Sequence, residues 1–236
     1  MGAFLTTHWS VVAAAADSSA PVAQAALERL CQAYWAPLYA YLRRRGHKPQ
    51  EAQDLTQEFF ARLLEKRSIE QADPASGRFR TFLLTSLQHF VIDEWRKTTR
   101  QKRGGDHMVF SCDAQAAEQL YAADLTDDLT PEKVYERRWA ATLVERVLST
   151  LGEEYTAAGK GRLFELLKDS LWGERLSTPY AELAVQIGLT EGALKVAVHR
   201  LRRRCRELLR AEVAQTVVRP EEIDEELRHL LVVFSE

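Results

Sequence analysis

The chain has 236 residues, 46% of them apolar and 28% charged, with a formal net charge of −2 and a sequence pI near 6.3. That balance excludes a disordered polyelectrolyte and a uniformly basic coat, so any polyanion contact has to come from a local patch. Cysteines at 31, 112 and 205 and six scattered histidines give neither a disulfide framework nor zinc-ligand spacing, and no metal or cofactor is expected.

The N-terminal stretch "MGAFLTTHWSVVAAAAD" lacks the basic region of a signal peptide, and no apolar run reaches the length of a membrane span. A cytoplasmic protein without membrane contact is expected. Gly2 followed by Thr6 fits the short myristoylation pattern only loosely, and lipidation is not expected. Over residues 21–45, Leu27, Leu30, Tyr34, Leu38, Tyr41 and Leu42 recur at three- and four-residue steps, the apolar stripe of a helix. "GHKP" at 46–49 breaks that stripe, and a second helix is predicted from Pro49 to Lys66, with Leu55, Phe59, Phe60, Leu63 and Leu64 turned inward. Its outward face is expected to carry Gln50, Asp54, Gln57, Glu58, Ala61, Arg62 and Glu65. Taken alone, such a row of acids and amides is ordinary solvent-facing surface.

"DPASG" at 73–77 reads as a turn, and a third helix is predicted from Phe79 into "RKTTRQKRGG", where Gly104 and Gly105 stop it. Here Phe79, Phe82, Phe90 and Trp95 are interleaved with Arg78, Arg80, Arg96, Lys97, Arg100, Lys102 and Arg103. A basic groove with stacking platforms suits single-stranded DNA. The same four rings also fit one buried helix face, and both readings stand at this point. Residues 105–130 hold Asp106, Asp113, Glu118, Asp124, Asp127 and Asp128, few large apolar side chains and no clear period, as expected of an acidic linker.

A helix restarts at "LTPEKVYERRW", where Thr130 caps, Pro131 occupies the first turn and Glu132 favours the positive helix end. Helices are predicted over 131–151, 159–172, 178–187 and 191–214, and a short one over 220–234. In "STPYAELAVQIGLTEGALKVAVHRLRRRCREL" Thr178 is the expected cap, Pro179 lies just inside the helix, and Leu183, Ala184 and Ile187 face inward. Gly188 frees the turn and Thr190 caps the next helix, the plan of a helix-turn-helix. On that second helix Leu194, Val198, Leu201, Cys205 and Leu208 share one face, and Lys195, His199, Arg202 or Arg203, and Arg206 share another. Gly192 leaves room for close backbone approach to DNA. A solvated basic face on a packed helix is the plainer alternative. In the tail, Ile223, Leu227, Leu230 and Phe234 form one apolar stripe, which should dock on one of the two domains.

The expected fold is all-α: an N-terminal domain over 1–104, the acidic linker over 105–130, a C-terminal domain with the helix-turn-helix over 131–215, and a short helical tail over 216–236. No Gly-rich phosphate loop, Ser/His/Asp or Cys/His arrangement, or helical His-Glu-His triple is present, so an enzyme is not expected.

The order of segments is informative. "EAQDLTQEFFARLL", "FRTFLLTSLQHFVIDEWR" and "YAELAVQIGLTEGALKVAVHRLRRR" together resemble the bacterial RNA polymerase sigma factors of the extracytoplasmic-function (ECF) group, over residues 21–104 and 131–212. The first is similar to that family's polymerase-binding helix, the second to its promoter-melting segment, the third to its upstream-promoter reader. The resemblance implies that Asp54, Gln57 and Glu58, with Gln53 and Arg62, face the clamp of core RNA polymerase. It implies that His89 sits at the pocket for a flipped base of the downstream promoter element, with Arg80, Arg96, Lys97 and Arg100 on nearby DNA. Gly192, Lys195, His199, Arg200 and Arg203 would meet the upstream element of promoter DNA. The linker would then run near the path of nascent RNA, or serve only as a solvated tether.

The chain departs from the family pattern at Gln53, where a second acid is frequent, at Val196-Ala197, where Ser-Arg is frequent, and at His89, where Asn is frequent. Phosphorylation of Thr56 would restore negative charge to the polymerase-facing helix, which adds a regulatory kinase to an anti-sigma factor as an expected partner. Two other classes remain: a stand-alone helix-turn-helix regulator acting without polymerase, and a helical adaptor working through protein contacts alone. Co-purification with core polymerase separates the first, and an absence of salt-dependent DNA binding would mark the second.

Overall fold

The computed structural model describes residues 20–65, 78–98, 114–123, 129–172, 179–217 and 219–235. Gly2, Thr6, the turn at 73–77, Arg100, Lys102, Arg103 and Thr178 lie outside these residues, so the expectations placed on them do too. Among the described residues every regular element is helical. We number the α-helices α1 (Ala20–Arg44), α2 (Pro49–Glu65), α3 (Phe79–Thr98), α4 (Ala114–Ala123), α5 (Pro131–Ala157), α6 (Gly161–Leu167), α7 (Tyr180–Ile187), α8 (Glu191–Ala214) and α9 (Ile223–Ser235). Short 3-10 turns, Lys168–Trp172 and Pro220–Glu222, extend α6 and precede α9. The all-α expectation holds.

The chain forms two compact units, one of 1–142 with 213–236 and one of 143–212, and the division falls inside α5 and α8. In the first unit the stripes predicted for α1 and α2 are buried where their side chains are described, apart from half-buried Leu55. Leu27, Leu30 and Leu64 lie outside the described side chains, and on α3 Leu83 and Leu87, rather than the expected Phe82 and Trp95, complete the buried face. Tyr34, Leu38, Tyr41 and Leu42 of α1, Phe59, Phe60 and Leu63 of α2, and Phe79, Leu83, Leu87 and Phe90 of α3 are all excluded from solvent. The Tyr34 and Phe79 rings meet edge to face at 5.4 Å, and Phe59 lies 5.8 Å from Phe90. Tyr135 and Trp139 on α5 are buried too, and the Tyr135 hydroxyl donates to the Arg80 carbonyl at 2.9 Å.

One helix departs from expectation. Ala114–Ala123 falls where the sequence reads as an aperiodic acidic linker. Ala117 and Tyr121, one turn apart, are buried, and Glu118 beside them accepts a bidentate pair of bonds from Arg43 Nε and Nη2, each at 2.8 Å. The Tyr39 hydroxyl donates to the same carboxylate at 2.5 Å. A charge counted as solvated linker is thus an anchor of α4 on α1. Small alanines and one aromatic ring supply too little hydrophobicity for the period to stand out.

The tail follows expectation in part. Ile223 and Leu230 are buried and Leu227 is half-buried, but Phe234 is 48% exposed, with Leu231 and Val232 also outward. Glu226 takes the buried place that the apolar stripe assigned elsewhere.

The second unit has its own core of Val147, Leu151, Phe164, Leu167, Leu183, Ala184, Leu194, Val198, Leu201 and Cys205. Helices α5 and α6 approach closely at Gly152, where a Cβ would stand 3.0 Å from the Phe164 ring. Pro179 sits one position earlier than expected, at the cap of α7 in an extended conformation. At the other end Gly188 adopts φ 73°, so that its N–H reaches the Val185 carbonyl and that of Leu189 reaches Ala184 at 2.9 Å. This left-handed stop is the pattern that glycine admits without Cβ strain. Thr190 then caps α8, its hydroxyl accepting from the Ala193 N–H at 3.2 Å.

Candidate nucleic-acid interface

On α2, Asp54 is exposed and accepts from Gln50 Nε2 at 3.0 Å, while Gln53, Gln57 and Glu58 are half-buried around it. Arg62 is held more firmly. Its Nη2 donates to Glu58 at 2.7 Å, pairs with Glu94 of α3 at 2.5 Å, and its guanidinium lies 5.0 Å above the Phe90 ring. Arg62 therefore fixes the presentation of Glu58 while tying α2 to α3.

Thr56 lies on the opposite side of the helix. It is fully buried, and its hydroxyl donates to the Ala52 carbonyl at 2.7 Å. The expectation of a phosphorylation site there is corrected: positions 52, 56, 59 and 63 share the buried stripe, and a kinase cannot reach that hydroxyl in this fold.

On α3, His89, Ile92, Asp93 and Arg96 are exposed at three- and four-residue steps and so share one face. Arg96 Nη1 stands 3.6 Å from Asp93 Oδ1, a loose surface pair. The aromatic residues divide. Phe79 and Phe90 are core, Phe82 is half-buried at 6.1 Å from Phe79, and Trp95 is 70% exposed at the far end. Of the four rings, Trp95 is the most exposed. The side chain of Lys97 lies outside the described set. Next to the His89 face, a cleft of about 290 Å³ is lined by Tyr41, Leu42, Arg45, His47, Gln88, Val91 and Ile92.

Arg80 does not belong to that face, and its assignment to DNA is corrected for this conformation. It is 3% exposed. Its Nε donates to both Glu136 oxygens at 3.0 and 3.1 Å, its Nη1 pairs with Glu226 of α9, and its guanidinium lies 4.5 Å over the Trp139 ring. Burial draws its pKa down, and the Glu136 carboxylate opposes that shift. Arg78 beside it reaches Glu225 at 2.9 Å and Glu226 at 3.0 Å, and His229 of α9 stands 2.7 Å from Glu136.

On α8 of the second unit, Lys195, His199 and Arg203 are exposed on one side. Lys195 pairs with Glu191 at 2.6 Å, which raises its pKa, and Arg203 with Glu207 at 3.1 Å. Both side chains stay mostly solvated, at 62% and 72%, so these pairs exchange readily for a phosphate. Arg202 is structural: it donates twice to the Ser170 carbonyl, at 2.6 and 2.9 Å. Of the two arginines the spacing left open, Arg203 faces solvent. Arg204 is bound to Glu154 at 2.6 and 2.9 Å.

Arg200 lies roughly 140° round the helix from Lys195. It lines a cleft of about 510 Å³ with Tyr155, Leu163 and Val196, so it does not share the Lys195–His199 face. A Cβ on Gly192 would meet nothing within 4 Å, leaving that end of the face open.

The described residues thus carry three charged or polar faces: α2 around Asp54, α3 around His89 and Arg96, and α8 around Lys195 and Arg203. Residues 30–101 match the family model of sigma-70 region 2. The matched stretch runs through α2 and α3, the two helices that hold the first two faces. No curated protein and no solved structure matches the chain at a significant level. The match supports a sigma factor of the sigma-70 family, acting with RNA polymerase in promoter recognition. Among the described residues no group of His, Cys, Asp and Glu could hold a metal, and no helix is long and apolar enough to cross a membrane.

Sequence reasoning missed Glu118, Glu136 and Glu226, which anchor helices rather than meet solvent. Glu118 left a faint signal in its spacing from Tyr121. Glu136 and Glu226 left none, because their partners are far away in sequence.

Proposed function

We propose that this chain is an ECF-type sigma factor that binds bacterial core RNA polymerase, directs it to a class of promoters and helps open the duplex there. The observation that carries this reading is the match of residues 30–101 to sigma-70 region 2, on the segment where the polymerase-facing and promoter-melting residues were expected. In this reading Gln53, Asp54, Gln57 and Glu58 meet the polymerase clamp, positioned by Arg62. His89 and Arg96 meet the downstream element, with Lys97 and Arg100 continuing the basic run and the exposed Trp95 among them. The α7–α8 pair acts as a helix-turn-helix whose Gly192, Lys195, His199 and Arg203 meet the upstream element. The factor works in the cytoplasm and is not itself an enzyme, since the polymerase performs the chemistry.

The test is reconstitution with bacterial core polymerase. The natural chain should co-purify with core, and Asp54→Arg should abolish that association with the helical spectrum unchanged, because Asp54 is exposed. Lys195→Glu with Arg203→Glu should leave core binding intact and weaken promoter binding. Normal transcription from both variants would overturn the proposal. A stand-alone regulator, by contrast, would bind duplex DNA without core.

A further inference from the structure

Arg78 and Arg80 lie in the matched segment, just before and within the first turn of the helix expected to reach promoter DNA, yet both are occupied by carboxylates of α9. Glu225 and Glu226 stand against these guanidiniums where phosphate oxygens would stand in a nucleic-acid complex, and the carboxylate and phosphate geometries suit a guanidinium alike. We propose that α9 is a built-in acidic mask over a phosphate-binding surface of α3, and that the tail lifts when Arg78 and Arg80 engage the DNA backbone. The inference rests on the sigma-factor reading and names a regulation of that same site.

Three observations support it. The mask comes from a tail outside residues 30–101, so the matched segment does not include its own cover. Its anchoring is partly ionic: the buried side chains described in α9 are Ile223, Glu226 and Leu230, so a carboxylate shares the seat with two apolar residues, while Leu231, Val232 and Phe234 face outward. Ion pairs taken out of water come close to breaking even, because desolvation offsets the attraction. The ionic part of this hold is the part a polyanion can contest, because a phosphate arriving at the guanidiniums replaces the carboxylates rather than leaving the cations bare. Finally, Glu136 stays beside Arg80 from α5 and accepts from its Nε, so the guanidinium keeps one carboxylate partner when Glu226 leaves.

The experiment uses full-length protein assembled with bacterial core RNA polymerase, and compares the natural chain with Glu225→Gln/Glu226→Gln. The probe is a DNA fragment enriched from fragmented genomic DNA by the variant holoenzyme. The variant should bind the fragment about tenfold more tightly at equal salt, the scale of a modest coupling between sites. In the natural holoenzyme, adding the fragment should raise hydrogen exchange across 223–235, a readout that does not depend on how the variant folds. Equal affinity of the two holoenzymes, or unchanged protection of 223–235 in the complex, would overturn the mask and leave the sigma-factor reading standing. Failure of both proteins to associate with core would overturn that reading, and the inference with it.

Discussion

Glu118 shows how one side chain changes the meaning of a segment. Its carboxylate is held by Arg43 and Tyr39, and the Arg43 hydrogen bonds depress its pKa below the ordinary carboxylate range. Burial and the same carboxylate push the Tyr39 phenol up. A depressed carboxyl stabilises the fold above its unfolded pKa, and that contribution disappears as pH falls through the folded value. The difference in melting temperature between the natural chain and Glu118→Gln should therefore be largest near neutrality and shrink between about pH 6 and about pH 3. At neutral pH the substitution should cost about 1 kcal/mol, allowing for the partial exposure of the pair. A constant difference across that range would show that the carboxylate charge is not what holds α4. Arg80 makes the complementary point. Its sequence position amid aromatic and basic residues suggested DNA, and only the fold reveals the acids that bury it.

At the scale of the element, the turn between α7 and α8 and the start of α8 each hold a glycine, and the two should respond oppositely to the same substitution. Gly188 has φ 73°, so Gly188→Ala should cost about 1 kcal/mol through left-handed strain although nothing crowds a Cβ there. Gly192 is helical with open space around it, so Gly192→Ala should be neutral or stabilising by up to about 1 kcal/mol in chemical denaturation. If DNA passes close to that backbone, the same variant should still bind promoter less well, separating the fold from DNA recognition. The helices themselves were legible in sequence because their stripes are long and their stops are chemical: Pro49 and Pro131 at starts, Thr130 and Thr190 at caps, Gly188 at an end. Helix α4 was not, because Ala117 and Tyr121 bury only a single turn and its main anchor is an ion pair. On α8 the spacing gave the basic face but could not tell Arg202 from Arg203, since the Ser170 carbonyl that claims Arg202 lies on another element.

For the whole molecule, a net charge of −2 means that nucleic acid is attracted only where cations concentrate and acids stand back. Promoter affinity of the holoenzyme should therefore fall linearly with salt on logarithmic axes. Lys195→Glu with Arg203→Glu should flatten that slope by about one unit for each phosphate that the protein no longer neutralises. A slope unchanged by the double variant would remove α8 from the phosphate path. Trp95 gives the molecule a further property. Trp35 and Trp139 are buried at 3% and 1%, whereas Trp95 is 70% exposed on the helix expected to meet melted DNA. Subtracting the emission of Trp95→Phe from that of the natural chain should isolate a red-shifted, acrylamide-accessible fluorophore. Its quenching would report strand opening without any added label.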